Sequence, residues 1–148
     1  MPAPYSPDTY VPSLNGKVII ITGGNGGLGY ETLIHLARYS PSKLVLCARS
    51  KEKYDHALEG IVTAVPEAVH FVQYLALDLA SLPSVQEAAK AFITENDRLD
   101  VLLNNAGIMA QPAALTKDGF EIQFGTNHMV GPTHEKVLSS MPLFLTSQ

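Results

Sequence analysis

The stretch "ITGGNGGLGYE", residues 21–31, decides the fold because it places five glycines within the seven positions from Gly23 to Gly29. A β-branched run, "KVIIIT" at residues 17–22, precedes it and is typical of a strand buried on both faces. A helical pattern follows, whose predicted apolar face carries Leu28, Leu33, Leu36 and Ala37. Glycines at a strand-to-helix turn let the backbone approach a phosphate, and the helix N-terminus adds partial positive charge. The stretch therefore predicts a phosphate-binding loop; the alternative is a flexible loop whose glycines only make a tight turn.

The remainder of the chain repeats this alternation of strand and helix patterns. Three further strands are predicted, at Lys43–Ala48, His70–Leu79 and Leu99–Gly107. Helical patterns separate them at residues 50–65 and 81–96, and Ser81 is the predicted N-cap of the second, with Pro83 in its first turn. Strands that alternate with helices in this way predict a parallel sheet. The fold class is therefore α/β, a doubly wound (Rossmann) parallel sheet.

Composition limits the classes of partner. The chain has 148 residues and a formal net charge of −4, so it shows no basic footprint for nucleic acid. Its start carries four prolines before Lys17 and lacks the pattern of a secretory signal, and no stretch is long and apolar enough to predict a membrane span. Cys47 is the single cysteine, which favours a reducing compartment. We predict a cytoplasmic protein without a transmembrane segment and without a metal site.

The residue that ends the second predicted strand distinguishes between ligands. Arg49 stands 20 residues after Gly29, and Lys51 follows two residues later. An acid near this place binds the ribose hydroxyls of NAD, whereas an arginine favours the 2′-phosphate of NADP. An arginine here also argues against S-adenosylmethionine enzymes, and a P-loop is disfavoured because no Gly-Lys-Ser/Thr follows the glycines. We therefore predict NADP(H) as the cofactor; the alternative is a solvated loop arginine.

Motifs at the ends of successive strands complete a family pattern. "TGGNGGLG" at residues 22–29 fits Thr-Gly-x-x-x-Gly-x-Gly, "LDL" at 77–79 follows the third strand, and "NNAG" at 104–107 follows the fourth. Over roughly residues 14–129 the chain resembles the short-chain dehydrogenase/reductases, especially the retinol-dehydrogenase-like branch. The resemblance implies an NADP(H)-dependent oxidoreductase that interconverts an alcohol and a carbonyl, with a nicotinamide dinucleotide as its ligand.

The resemblance also implies a role for each motif position. The implied cofactor-binding residues are Thr22, Gly23, Asn25, Gly27, Leu28, Gly29, Arg49, Asp78, Leu79, Asn105, Ala106 and Gly107. Arg49 would hold the 2′-phosphate, Asp78 would bind the adenine amino group, and residues 105–107 would run past the ribose. Asn127 matches a helix asparagine that supports the active-site lysine through water. The alternatives are an N-cap at Asp78 and simple turn formation by Asn104 and Asn105.

The family's catalytic serine and Tyr-x-x-x-Lys pair are expected after Asn127, where this chain has no matching residues. The one Tyr-x-x-x-Lys match, Tyr39–Lys43, is predicted to be non-catalytic, because Pro41 ends the first helix and places the pair at the opposite end of the sheet from the glycines. His134, Glu135, Lys136, Ser139 and Ser140 are interpreted as parts of a polar tail. Efficient turnover by this chain alone is not expected.

We predict three segments: an irregular N-terminal arm at 1–16, a partial NADP-binding domain at 17–129, and a tail unlike the family at 130–148. The sheet is expected to be truncated after about the fourth strand and the following helix. This would leave "DVLLN", residues 100–104, as a hydrophobic edge open to association. Alternatives to an oxidoreductase are a catalytically silent nucleotide-binding module and a non-functional fragment.

Overall fold

Four parallel strands form one sheet in the order β3-β2-β1-β4. The computed structural model describes residues 11–129 of the chain. The strands are β1 (Val18–Thr22), β2 (Lys43–Ala48), β3 (Val72–Ala76) and β4 (Val101–Leu103). The chain moves outward from β1 to β3 and then returns to the other side of β1 to form β4. This arrangement confirms the doubly wound parallel sheet predicted from the sequence.

Helices cover both faces of the sheet. They are α1 (Gly27–Ala37), α2 (Lys51–Ala64) and α3 (Leu82–Glu95), and a 3₁₀ turn at Pro66–His70 follows α2. Strand β1 is buried throughout, and its side chains alternate between two apolar layers. Ile19 and Ile21 pack in the layer that contains residues of α1 and α2. Val18 and Ile20 pack in the layer that contains residues of α3. The β-branched run at 17–22 is therefore a central strand, as its composition predicts.

The predicted apolar face of α1 is wrong at one position. Leu33 and Ala37 are buried and Leu36 is half-buried, but Leu28 is 82% exposed. At about 100° per residue, Leu28 lies about 140° from Leu33 and about 180° from Ala37 around the axis of α1, so its side chain faces away from the core. Leu28 therefore does not share the face that Leu33, Leu36 and Ala37 present to the sheet.

Strands β3 and β4 are shorter than their apolar runs predict. Strand β3 ends at Ala76, although its predicted run continues to Leu79. Strand β4 ends at Leu103, although its predicted run continues into the polar turn at Gly107. Helix α3 begins as predicted, since Ser81 Oγ accepts a hydrogen bond from the backbone N–H of Ser84 at 3.4 Å and Pro83 lies in the first turn.

An irregular segment follows β4. It leads to a single antiparallel bridge between Leu115 and Glu121, and then to α4 (Ile122–Phe124), which continues into a π-helical turn at Gly125–Met129. Within residues 11–129, β4 pairs with β1 on one side and has no strand on its other side. None of the helices in this range is long and apolar enough to cross a membrane.

Candidate functional site

The carboxyl ends of the four strands surround a cleft of about 670 Å³, a volume typical of small-ligand sites. It lies where the strand order reverses between β1 and β4, which is where open α/β sheets bind their ligands. Every residue assigned to cofactor binding from the sequence lines this cleft, except Gly29. The predicted residues that line it are Thr22, Gly23, Asn25, Gly27, Leu28, Arg49, Asp78, Leu79, Asn105, Ala106 and Gly107.

The amino end of α1 opens into the cleft without a side-chain cap. Gly26 is the N-cap residue, and the first turn carries no acidic side chain. The first backbone N–H groups of a helix have no partner within the helix, so here they are available to an anion. Gly26, Gly27 and Leu28 all line the cleft. The glycine loop therefore presents uncapped backbone donors and a partial positive charge to any ligand bound there.

Glycine is required in this loop for two different reasons. Gly23 has a φ of +65°, a left-handed conformation that other residues rarely adopt. Gly29 lies under the loop, where an added Cβ would stand 2.5 Å from the Asn105 amide nitrogen and 2.7 Å from the Gly23 carbonyl oxygen. Gly29 therefore shapes the site from beneath, which explains why it does not line the cleft.

Thr22 and Asn105 join the ends of β1 and β4. The Asn105 amide donates to the Thr22 carbonyl oxygen at 3.0 Å, and the Thr22 hydroxyl accepts from the backbone N–H of Ala106 at 3.0 Å. Thr22 is 2% exposed, so its side chain is engaged with the protein. Asn105 thus holds two strands together and is more than a turn former, whereas Asn104 is exposed.

Two cations line the cleft after β2. They are Arg49, which the sequence predicts, and Lys53, which the sequence reasoning missed. Lys51, the cation noted in the sequence, forms an ion pair with Asp55 and lies over the Tyr54 ring, 4.7 Å from its centroid. Ser50 caps α2 by accepting a hydrogen bond from the backbone N–H of Lys53 at 3.4 Å. Counting from this N-cap would have placed Lys53 in the first turn of α2.

Asp78 contributes a carboxylate to the cleft. Its Oδ1 accepts from the backbone N–H of Ala80 at 3.1 Å, and its Oδ2 accepts from Lys117 Nζ at 3.0 Å. Partial burial raises the pKa of Asp78, but hydrogen bonds from Lys117 and Ala80 and the nearby charge of Arg49 outweigh it and hold this pKa below its ordinary value. Ser81 is the N-cap of α3, so the alternative of an N-cap at Asp78 is wrong.

Asn127 braces the segment that follows "NNAG". Its side-chain amide donates to the Ile108 carbonyl oxygen at 2.8 Å and accepts from the Ile108 N–H at 2.9 Å. Ile108 lines the cleft, together with Gln111, Ile122 and Thr126, which the sequence reasoning also missed. Ile108 and Thr126 are next to positions that the sequence singles out, but no motif indicates that they, Gln111 or Ile122 meet the cleft. The role of Asn127 near a catalytic lysine stays a prediction.

The residues of the single Tyr-x-x-x-Lys match lie away from the cleft. Tyr39 follows α1, which ends at Ala37, and Lys43 begins β2 at the amino end of the sheet. The Lys43 ammonium donates to Asn96 Oδ1, beyond the end of α3. The cleft lies at the opposite end of these strands. His134, Glu135, Lys136, Ser139 and Ser140 fall outside the described residues, as does the predicted tail at 130–148.

Comparison with known proteins assigns the family. The family model described as short chain dehydrogenase matches residues 17–131. An uncharacterised oxidoreductase of Schizosaccharomyces pombe is 43% identical over 119 residues, which are 80% of this chain and 34% of that protein. Human retinol dehydrogenase 13 is 43% identical over 117 residues, which are 79% of this chain and 34% of that protein.

A solved structure shares the fold of this chain. The crystal structure of a protein from Mycobacterium paratuberculosis superposes with a TM-score of 0.76 at 36% identity, covering 89% of this chain and 45% of that one. The chain thus spans about a third of the length of the curated relatives and under half of that solved chain. Family model, sequence relatives and superposition all cover the segment that forms the sheet and the cleft. The chain therefore belongs to the short-chain dehydrogenase family.

Proposed function

We propose that the cleft binds NADP(H), with the pyrophosphate at the amino end of α1. The observation that carries this proposal is the convergence of uncapped backbone donors with two cations in one cleft. Backbone N–H groups and a helix N-terminus suit a pyrophosphate, because both favour negative charge without adding side chains. The net charge of the chain is −4, so attraction of an anion has to come from this local arrangement.

The cations after β2 support NADP(H) over NAD(H). Arg49 and Lys53 both line the cleft, and Asp78, the carboxylate in its lining, is engaged with Lys117. A 2′-phosphate on the adenosine ribose would complete this pair of cations, whereas the bare hydroxyls of NAD(H) would leave them without an anionic partner. We assign Asp78 and Leu79 to the adenine, and residues 105–107 to the ribose.

Hydride transfer between an alcohol and a carbonyl is the reaction that family membership suggests for the cofactor. The reduction also needs a proton donor at the substrate oxygen. Within residues 11–129 the Tyr-x-x-x-Lys pair lies at the far end of the sheet, so it does not supply that donor. Loss of a general acid costs about 10²–10⁴-fold in rate. We propose that this chain binds the cofactor but by itself turns over a carbonyl substrate poorly.

Titration with NADPH and NADH, followed by nicotinamide fluorescence, tests the cofactor assignment. Arg49→Gln and Lys53→Gln should each weaken NADPH binding by about tenfold or more, since each removes a charged hydrogen bond to phosphate, and should change NADH binding little. Lys51→Gln is the matched control: it removes the same charge from the same helix turn, but Lys51 pairs with Asp55. Equal losses for NADPH and NADH, or an equal effect of the control, would contradict the assignment.

A silent nucleotide-binding module that associates through the sheet edge is the second candidate. It is favoured by the outer side of β4, which carries no strand within the described part of the chain, and by Val101, which is 45% exposed there. Unpaired strand edges are templates for association.

The lone Cys47 is buried and burial raises its pKa to about 12, which makes it a poor thiolate. We propose the cytoplasm as the compartment.

Val101→Lys tests the edge. A charged side chain on an exposed edge strand opposes pairing, so we expect this variant to self-associate less than the original chain in sedimentation velocity over a concentration series. Val69→Lys, at a 51% exposed position away from β4, is the matched control. A chain that stays monomeric at every concentration would remove this second candidate.

A further inference from the structure

The turn at Thr116–Phe120, here called the 116–120 turn, is a closed unit. The Thr116 N–H donates to the Phe120 carbonyl oxygen at 2.8 Å, and the Phe120 N–H donates to the Thr116 hydroxyl at 3.2 Å. Gly119 has a φ of +83°, which lets the chain reverse. Thr116 is 8% exposed and packs against Gly125. The turn is therefore anchored on the segment whose Ile122 and Thr126 line the cleft.

The 116–120 turn is also bound to the start of α3. The backbone N–H of Lys117 donates to the Ala80 carbonyl oxygen at 3.0 Å, and the Leu82 N–H donates to Asp118 Oδ2 at 2.7 Å. Asp118 thereby satisfies one of the free N–H groups of the first turn of α3 and places an acid at its positive end. These two contacts fix the backbone of Lys117 beside the cleft.

The Lys117 side chain then reaches Asp78. Its ammonium stands 3.0 Å from Asp78 Oδ2, while Asp78 Oδ1 accepts from the Ala80 N–H, so both carboxylate oxygens have a fixed direction. Each carboxylate oxygen can accept a further hydrogen bond. The Asp78 side chain is 28% exposed and lines the cleft, so this remaining capacity is open to a ligand.

We infer that Lys117 is a positioning residue, which orients the Asp78 carboxylate so that it accepts a hydrogen bond from the 6-amino group of adenine. This inference rests on the proposed function, since it concerns the adenine end of NADP(H). Lys117 is 69% exposed at its side chain, and exposed ion pairs contribute little to folding stability. Replacing Lys117 should therefore change the relative affinity for nucleotides with different purine bases, and should hardly change the free energy of unfolding.

The hypoxanthine analogue of NADPH isolates this effect, because a carbonyl oxygen replaces the 6-amino group and cannot donate to Asp78. The original chain should bind NADPH about tenfold more tightly than the analogue. Lys117→Met should reduce this ratio by about threefold to fivefold, and Lys117→Arg should restore it. Lys90→Met, on the exposed side of α3, is the matched control. Fluorescence titration of both nucleotides gives the ratio for each variant.

The pH dependence of this ratio distinguishes positioning from a merely structural role. Lys117 and Arg49 are the charged groups that act on Asp78, and both favour its ionised form. Preference for NADPH needs the carboxylate, so it should fall as the pH drops through the pKa of Asp78. Loss of Lys117 should move that fall to higher pH. Variants that only loosen the fold would weaken the binding of both nucleotides equally. They would leave the ratio of the two affinities, and the pH profile of that ratio, unchanged.

Each outcome decides the inference. A ratio that falls in Lys117→Met and returns in Lys117→Arg supports it. An unchanged ratio in Lys117→Met overturns it while leaving NADP(H) binding intact, and so does an original chain that binds both nucleotides equally well. If neither nucleotide binds the original chain, the proposed function fails and the inference fails with it.

Discussion

Gly29 lies where α1 passes too close to the end of β4 for a larger residue. An alanine Cβ would stand 2.5 Å from the Asn105 amide nitrogen, and that amide also holds the Thr22 carbonyl oxygen. We expect Gly29→Ala to lower the free energy of unfolding by about 1–3 kcal/mol, as overpacking does, and to weaken NADPH binding. Urea denaturation and nicotinamide fluorescence measure the two effects.

Gly26→Ala is the control for this prediction at the residue scale. Gly26 is extended, and nothing lies within 4 Å of an added Cβ. Its substitution should cost at most about 1 kcal/mol, the loss expected when alanine replaces a glycine N-cap. Equal destabilisation by the two substitutions would show that glycine content, and not the approach of α1 to Asn105, governs stability in this loop.

At the scale of elements, Asp100 ties the start of β4 to the start of β1. Its carboxylate accepts from the Val18 N–H at 2.8 Å and from Lys17 Nζ at 3.2 Å, and Arg98 Nε donates to it at 3.0 Å. The Asp100 side chain is 7% exposed. Burial raises the pKa of this carboxyl, but the hydrogen bonds from Arg98, Val18 and Lys17 outweigh that effect and lower the pKa from 3.8. The short strand β4 thus depends on a charged group that precedes it.

Asp100→Asn should therefore lower the free energy of unfolding by about 1–3 kcal/mol at pH 7. Because the folded-state pKa lies below the unfolded one, the carboxylate stabilises the fold above pH 3.8 and loses this contribution as pH falls through the folded pKa. The difference between original and variant should thus shrink below about pH 4. Asp97→Asn, at an exposed neighbour, is the control for urea denaturation across this pH range. A gap that persists unchanged to lower pH would contradict this account.

At the scale of the whole molecule, the cleft joins parts of the chain that the sheet brings together at one end. A ligand that binds the folded state alone stabilises it by about 2.7 kcal/mol at a concentration of 100 times Kd. We expect NADPH to raise the Tm of the full chain in differential scanning calorimetry. Arg49→Gln should reduce this rise at equal concentration, since Arg49 lines the cleft. An equal rise with inorganic pyrophosphate alone would show that the nucleoside parts add nothing.

The sequence by itself determined the sheet and most of the cleft. A β-branched run identified β1 and an apolar run identified β2, each almost to the residue, and the motifs after Thr22, Ala48, Ala76 and Leu103 mark the strand ends. The carboxyl ends of parallel strands meet at one edge, so local patterns were enough to predict which residues share a site. Ser81 shows the same locality, because a cap is a contact between residues three positions apart.

Only the tertiary structure decided the contacts between distant segments. The pairing of Lys117 with Asp78 spans 39 positions, and that of Lys17 with Asp100 spans 83, and neither follows from a periodic pattern. Leu28 differs from these pairs, because its place about 180° from Ala37 around α1 is enough to predict that it faces away from the core. Periodicity reports which residues share a face of an element. Which face is covered, and which charges meet, depends on how the elements pack against one another.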